Sequence, residues 1–142
     1  MRTFMATPST IERQWLHVDA TDKVVGRMAS RIAMVLMGKH RATYTPHMDT
    51  GDYVVVTNCE QVRFTGRKME QQTYYHYTGF PGGLRARPVR NVLEDKPEDV
   101  LYLAVRRMLP KTKLGKQMIR KLKIYAGSEH PHEAQAPAPL EI

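Results

Sequence analysis

Trp15 to Asp19 (WLHVD) alternates apolar and polar residues, the period of a strand. Beyond it, apolar residues recur at Met28, Ile32, Val35 and Leu36, which is the i, i+4, i+7, i+8 spacing of one helix face. This predicts a helix capped by Thr21 or Asp22 and running to about Met37, with Arg27, Arg31 and Met34 on the other face and Gly38 as its stop. Tyr53 to Thr57 (YVVVT) is a continuous β-branched run, the mark of a strand buried on both faces. A further short strand is expected over Val62 to Thr65, ended by Gly66. Thr73 to Thr78 is short and aromatic, and Phe80 to Gly83 (FPGG) predicts a loop. Pro97, Glu98 and Asp99 suit a helix N-terminus. The helix they open has Leu101, Ala104, Val105 and Met108 on its apolar face and is stopped by Pro110. Leu114, Met118 and Leu122 repeat every fourth residue, which gives a short basic helix over about Lys113 to Lys121, followed by a strand over Leu122 to Tyr125. Residues 1–13 read as an arm and residues 128–142, rich in Pro and Ala, as an extended tail. Residues 14–127 then form one α/β domain with helices packed on a largely parallel sheet.

Composition narrows the function. A chain of 142 residues supports one domain with a core. No apolar run approaches the roughly 20 residues that span a bilayer. The N-terminus shows no apolar segment leading to a small-residue cleavage site, so secretion is not expected. Cys59, the single cysteine, cannot form an internal disulfide and reads as a buried, inert thiol. Lys and Arg number 22 against 14 Asp and Glu, a net charge of +8, and the signs are segregated. Lys23–Met48, Gln71–Leu93 and Val100–Ser128 contain no acid at all. A solvated helix face normally intersperses signs. Three one-sign stretches call for a polyanion outside the protein, and a phosphate backbone is the natural one.

Two segments carry the chemistry. YYHYTGFPGGLR offers the flat faces of Tyr74, Tyr75, Tyr77 and Phe80 for unstacked bases, with Gly79, Gly82 and Gly83 allowing close backbone approach and Arg85 and Arg87 alongside. Strand alternation makes about half of those tyrosines structural. RRMLPKTKLGKQMIRKLK holds eight bases and no acid. Its apolar stripe is too small, and too poor in aromatics, for a membrane-surface or calmodulin-target helix. Asp49-Thr50-Gly51 copies the aspartic-protease triplet. The adjacent Asp52, the predicted helices and the positive charge favour a turn before the buried strand instead. His130-Pro131-His132 lacks the Cys or clustered acids of a metal set and reads as a turn or a pair of RNA-facing donors. No Walker loop or hydrolase triad is complete.

Four blocks together resemble the bacterial form of the thirteenth family of large-subunit ribosomal proteins. They are WLHVDATDKVVGRMAS, GKHRATYTPHMDTGDYVVVTN, YYHYTGFPGGL and AVRRMLPKTKLGKQMIRKLKIYAGSEHPHEAQ. They run in the family's order over nearly the whole chain. The resemblance implies a three-layer α/β/α domain on a four-stranded, mainly parallel sheet. It implies binding to large-subunit ribosomal RNA, an early part in subunit assembly, and contact with neighbouring ribosomal proteins. It implies no catalysis, no cofactor, no metal, no membrane and no small-molecule substrate. The RNA-facing residues it carries over are Lys39, His40, Arg41, Tyr44 and His47, then Tyr74, Tyr75 and His76, then Lys111, Lys113, Lys116, Arg120, Lys121 and Lys123. Arg27, Arg31, Arg67, Lys68, Arg85, Arg87, His130 and His132 complete the expected set. Met34 and Met37, where basic residues are usual, and the weakly basic Glu70–Thr73 depart from the pattern, so RNA contact is not expected there. The expected location is the ribosome of a bacterial cytoplasm rather than of an organelle. Two other readings stand beside this one: a messenger-RNA-binding regulator acting off the ribosome, and a dimeric aspartic protease using Asp49.

Overall fold

A computed structural model describes residues 3–142. Strand β1 (Trp15–Asp19) leads into helix α1 (Val25–Met37), and β2 (Tyr53–Thr57) follows. A one-turn helix α2 (Lys68–Gln71) precedes the hairpin of β3 (Thr73–Tyr77) and β4 (Leu84–Pro88). Three helices come next, α3 (Val89–Asp95), α4 (Pro97–Met108) and α5 (Lys113–Ile119), then β5 (Leu122–Ile124) and a two-residue strand β6 (Ala138–Pro139). The sheet order is β5-β2-β1-β6, and every pairing in it is parallel. The expected α/β domain on a four-stranded parallel sheet is therefore present, with a separate two-stranded antiparallel ribbon.

The two faces of the sheet are covered differently. Val18, Val54, Val56 and Leu122 pack with Met28, Ile32, Leu36, Val100, Leu101, Val105, Met118 and Ile119 in one core, so α1, α4 and α5 gather on that face. Val55 points the opposite way yet is fully buried, which accounts for the unbroken valine run. On Val55's face, Trp15 stacks on Tyr53 at 4.4 Å, the ring of His132 lies 5.1 Å from Trp15, and His130 lies 5.5 Å from His17. The C-terminal segment is thus a layer of the fold. It ends as edge strand β6, where Pro139, lacking an N–H, is tolerated.

Three local expectations change. Helix α1 begins after Val24 without a side-chain cap, because Asp22 sits in a left-handed turn (φ 57°) ahead of it. Val62–Thr65 does not extend as a strand; Val24 and Arg63 form one parallel bridge only. Helix α5 stops at Ile119, short of Lys121, and is capped at its start by Thr112, whose Oγ1 accepts from the Gly115 N–H at 3.2 Å.

Cys59 is buried, and that burial pushes its thiol up to about 12, with Glu98 and Glu60 adding to it. The native chain is expected to resist a thiol-reactive reagent at pH 8 and to react fully once unfolded in urea. Rapid native labelling would contradict this burial.

Candidate nucleic-acid interface

The loop between α1 and β2 is organised by two acids. Asp52, 1% exposed, accepts from the Gln14 N–H (2.8 Å) and Arg41 Nη2 (2.7 Å) on Oδ1, while His40 Nε2 lies 2.8 Å from Oδ2. A buried carboxylate is costly unless paired and hydrogen-bonded, and this one is both. Arg41 also donates to the Glu12 carbonyl, tying the N-terminal segment to the loop. His40 and Arg41, expected to face RNA, therefore commit these donors to Asp52, while their side chains stay partly exposed.

Lys121 is a clearer correction. It is 4% exposed, and its Nζ donates to Asp49 Oδ1 at 2.5 Å and to the Leu36 carbonyl at 3.0 Å. Burial draws its ammonium below the usual lysine range, while the Asp49 bond and charge oppose that shift. Asp49 lies within 3.7 Å of Arg13 as well. The Asp-Thr-Gly-Asp turn is thus an internal neutralising device, and Asp49 is not an unpaired carboxylate poised to share a proton with a second one. Gly51 is required within it, because a Cβ there would collide with the Leu36 carbonyl.

His130 and His132 also turn inward. His132 Nε2 is 2.8 Å from the Tyr125 hydroxyl, and its backbone N–H donates to His130 Nδ1 at 3.2 Å. Burial, with the neighbouring charges of His130 and Lys123, lowers the proton affinity of His132. The unfolded chain then binds more protons than the folded one. The neutral ring's contribution to stability is present above the ordinary histidine value of 6.5 and is lost as the pH falls below it. In an NMR titration His132 is expected to protonate below that value, with amide protection of residues 130–139 falling alongside; titration above it would contradict the packing.

The bases that remain exposed form one-sign surfaces. Lys111 and Lys116 line a groove of about 270 Å³ with Arg106, around Pro110 and Gly115. Lys113 and Arg120 are exposed at the two ends of α5. Lys39, Tyr44 and His47 are exposed on the α1–β2 loop, and Arg27 and Arg31 on the outer side of α1. Arg67 and Lys68 are exposed at α2. Among the described residues none of these cations has an ion-pair partner, whereas Arg13, Arg41, Arg87, Arg90 and Lys121 do. Lys123 is half-buried in a groove that it shares with Glu98 and Asp99.

The ribbon has two unlike faces. The register pairs Tyr74 with Arg87 and His76 with Arg85 on one face, and Tyr75 with Ala86 and Tyr77 with Leu84 on the other. Tyr74 is turned toward the body, half-buried, with the Arg107 guanidinium 5.8 Å from its ring centre. Tyr75 and, at the tip, Phe80 are 66% and 72% exposed. Arg85 and His76 are exposed, and Arg87 pairs with Asp95 of α3. Arg63, Arg106 and Arg107 stand with these surfaces but lie outside the expected set; the acid-free run from Val100 held the signal for the last two.

Among the described residues no cluster of three His, Cys, Asp or Glu side chains could hold a metal ion, and no helix is long and apolar enough to cross a membrane. A family model described as ribosomal protein L13 matches residues 13–131. Over 142 residues the chain is 54% identical to the large ribosomal subunit protein uL13 of Caldanaerobacter subterraneus subsp. tengcongensis, spanning 100% of this chain and 99% of the relative. It is 53% identical to the Aquifex aeolicus protein of the same description over 142 residues, with the same coverage. It is 52% identical to that of Thermotoga petrophila over 141 residues, 99% of this chain and 95% of the relative.

Proposed function

Because the chain belongs to the ribosomal protein L13 family of the large subunit, we propose that it is an architectural component that binds large-subunit ribosomal RNA and supports subunit assembly. The family is one of structural ribosomal proteins rather than enzymes. One observation carries the RNA reading. The buried cations are neutralised within the fold, while Lys39, Lys111, Lys113, Lys116 and Arg120 are exposed without an acidic partner among the described residues. A folded domain that leaves one sign of charge uncompensated on loops and helix ends is built to receive phosphates where RNA segments converge. Neutralising those phosphates releases condensed counterions and lowers the repulsion that opposes RNA compaction. Contacts of this type set position and register, and shape then governs recognition more than sequence does.

The test is co-sedimentation with the large subunit through high-salt washes, combined with salt-dependent binding of the purified chain to large-subunit RNA. Retention in high salt is expected, and Lys116→Gln should lower the slope of log K against log salt by about one unit. Release of the chain at modest salt would instead fit a messenger-binding regulator acting off the ribosome and would overturn the architectural reading.

A further inference from the structure

A cleft of about 450 Å³ opens between the start of α1, residues 63–65, α2, Tyr74 of β3 and the last turns of α4. Its size falls within the range of about 300–1,000 Å³ typical of small-ligand sites. Among the described residues four cations line it, Arg27, Arg63, Lys68 and Arg107, and no acid does. Its apolar wall is Phe64, Tyr74, Ala104 and Met108. The backbone of Arg63 is fixed on both sides, its N–H donating to the Lys23 carbonyl (2.9 Å) and its carbonyl accepting from Val25 (3.1 Å). Its side chain therefore projects from a rigid support. The Arg107 guanidinium stands 5.8 Å from the Tyr74 ring centre, so the cleft pairs a cation with an aromatic face, the two groups on which unstacked bases lie. Gly26 leaves the mouth open, since a Cβ there would meet nothing within 4 Å.

Resting on the RNA-binding reading above, we propose that this cleft receives one unstacked nucleotide of the large-subunit RNA. The base lies against the Phe64, Tyr74 and Met108 wall, and the flanking phosphates are held by Arg27, Arg63 and Lys68. The combination separates this site from the rest of the cationic surface. The grooves around α5 offer charge without an aromatic ring, and the ribbon tip offers rings without a cavity. Charge alone would bind any duplex backbone. A recessed aromatic wall beside the charge favours a base that has left its stack, found in loops and bulges rather than in regular helices.

The decisive experiment is base-specific chemical probing of a full-length large-subunit RNA transcript bound to the full chain, comparing wild type with Gly26→Phe and Arg63→Gln. Gly26→Phe fills the mouth without changing charge. It should restore reactivity at one unpaired nucleotide and leave the other protections and the salt slope unchanged, with circular dichroism confirming the fold. Arg63→Gln should weaken protection at the same nucleotide and lower the salt slope by about one unit. If every protection survives both variants, the cleft is empty on the RNA and the proposal is overturned while RNA binding stands. If the wild type binds no RNA, the functional reading itself falls. A second arm follows the amides of Gly26 and Lys68 by NMR during titration with adenosine monophosphate or inorganic phosphate. Shifts from the nucleotide that phosphate does not reproduce support the base wall; equal shifts reduce the site to an anion hole and overturn the proposal. Tight binding of free nucleotide without any RNA protection would assign the cleft to a soluble ligand and overturn it as well.

Discussion

Replacing Asp52 with alanine is expected to lower the free energy of unfolding by about 3–5 kcal/mol, the cost of breaking a buried ion pair from one side. The carboxylate is the common acceptor for Arg41, His40 and the Gln14 N–H, so its loss removes the acceptor of three donors at once, two of them on part-exposed side chains. It also frees the N-terminal segment, which Arg41 holds through the Glu12 carbonyl. Urea unfolding should show the loss as a lower midpoint, and a fall below about 1 kcal/mol would mean that water or a neighbouring acid replaces Asp52. The exposed Arg90–Glu94 pair is the control: Arg90→Ala should change stability by less than about 1 kcal/mol.

The second large effect falls on binding. Changing Lys111, Lys113 and Lys116 together to glutamine should lower the salt slope of RNA binding by about 2–3 units, at 0.7–0.9 per phosphate contact. At 0.15 M salt this corresponds to a loss on the order of 10²-fold in affinity, while thermal stability stays near that of the wild type because all three side chains are solvent-exposed. Lys121→Met should do the reverse. It removes the partner of Asp49 and lowers stability, and it leaves the salt slope of the folded protein intact. An unchanged slope in the triple variant would show that α5 and the loop before it do not touch phosphate.

Those paired lysines show where sequence reading reaches its limit. Lys116 and Lys121 stand in the same acid-free run and are indistinguishable there. What separates them is a partner 72 residues away in sequence, which only the packing of α5 against α1 and the pairing of β5 with β2 bring near. Helix α1, strand β2 and helix α4 were legible because each buries a stripe or a face long enough to impose its period on the sequence. Strand β4 was not, since LRARP is exposed throughout and carries charge where an apolar alternation would be sought. Helix α3 spans only seven residues, too few for its period to show. The histidines of the C-terminal segment gave no sign that they would cover a second sheet face. That role depends on Trp15, His17 and Tyr53, whose outward register follows from the parallel pairing of β1 and β2.

Lysine-selective acetylation, read by mass spectrometry on the free chain and on intact large subunits, tests the claim that polyphosphate covers this cationic surface. Lys39, Lys111, Lys113 and Lys116 should label readily in the free chain, become protected in the subunit, and label again after ribonuclease digestion, with Lys121 unreactive throughout the folded states. Full labelling of those four lysines within the intact subunit would show that they face open solvent, and the RNA-binding account would fail.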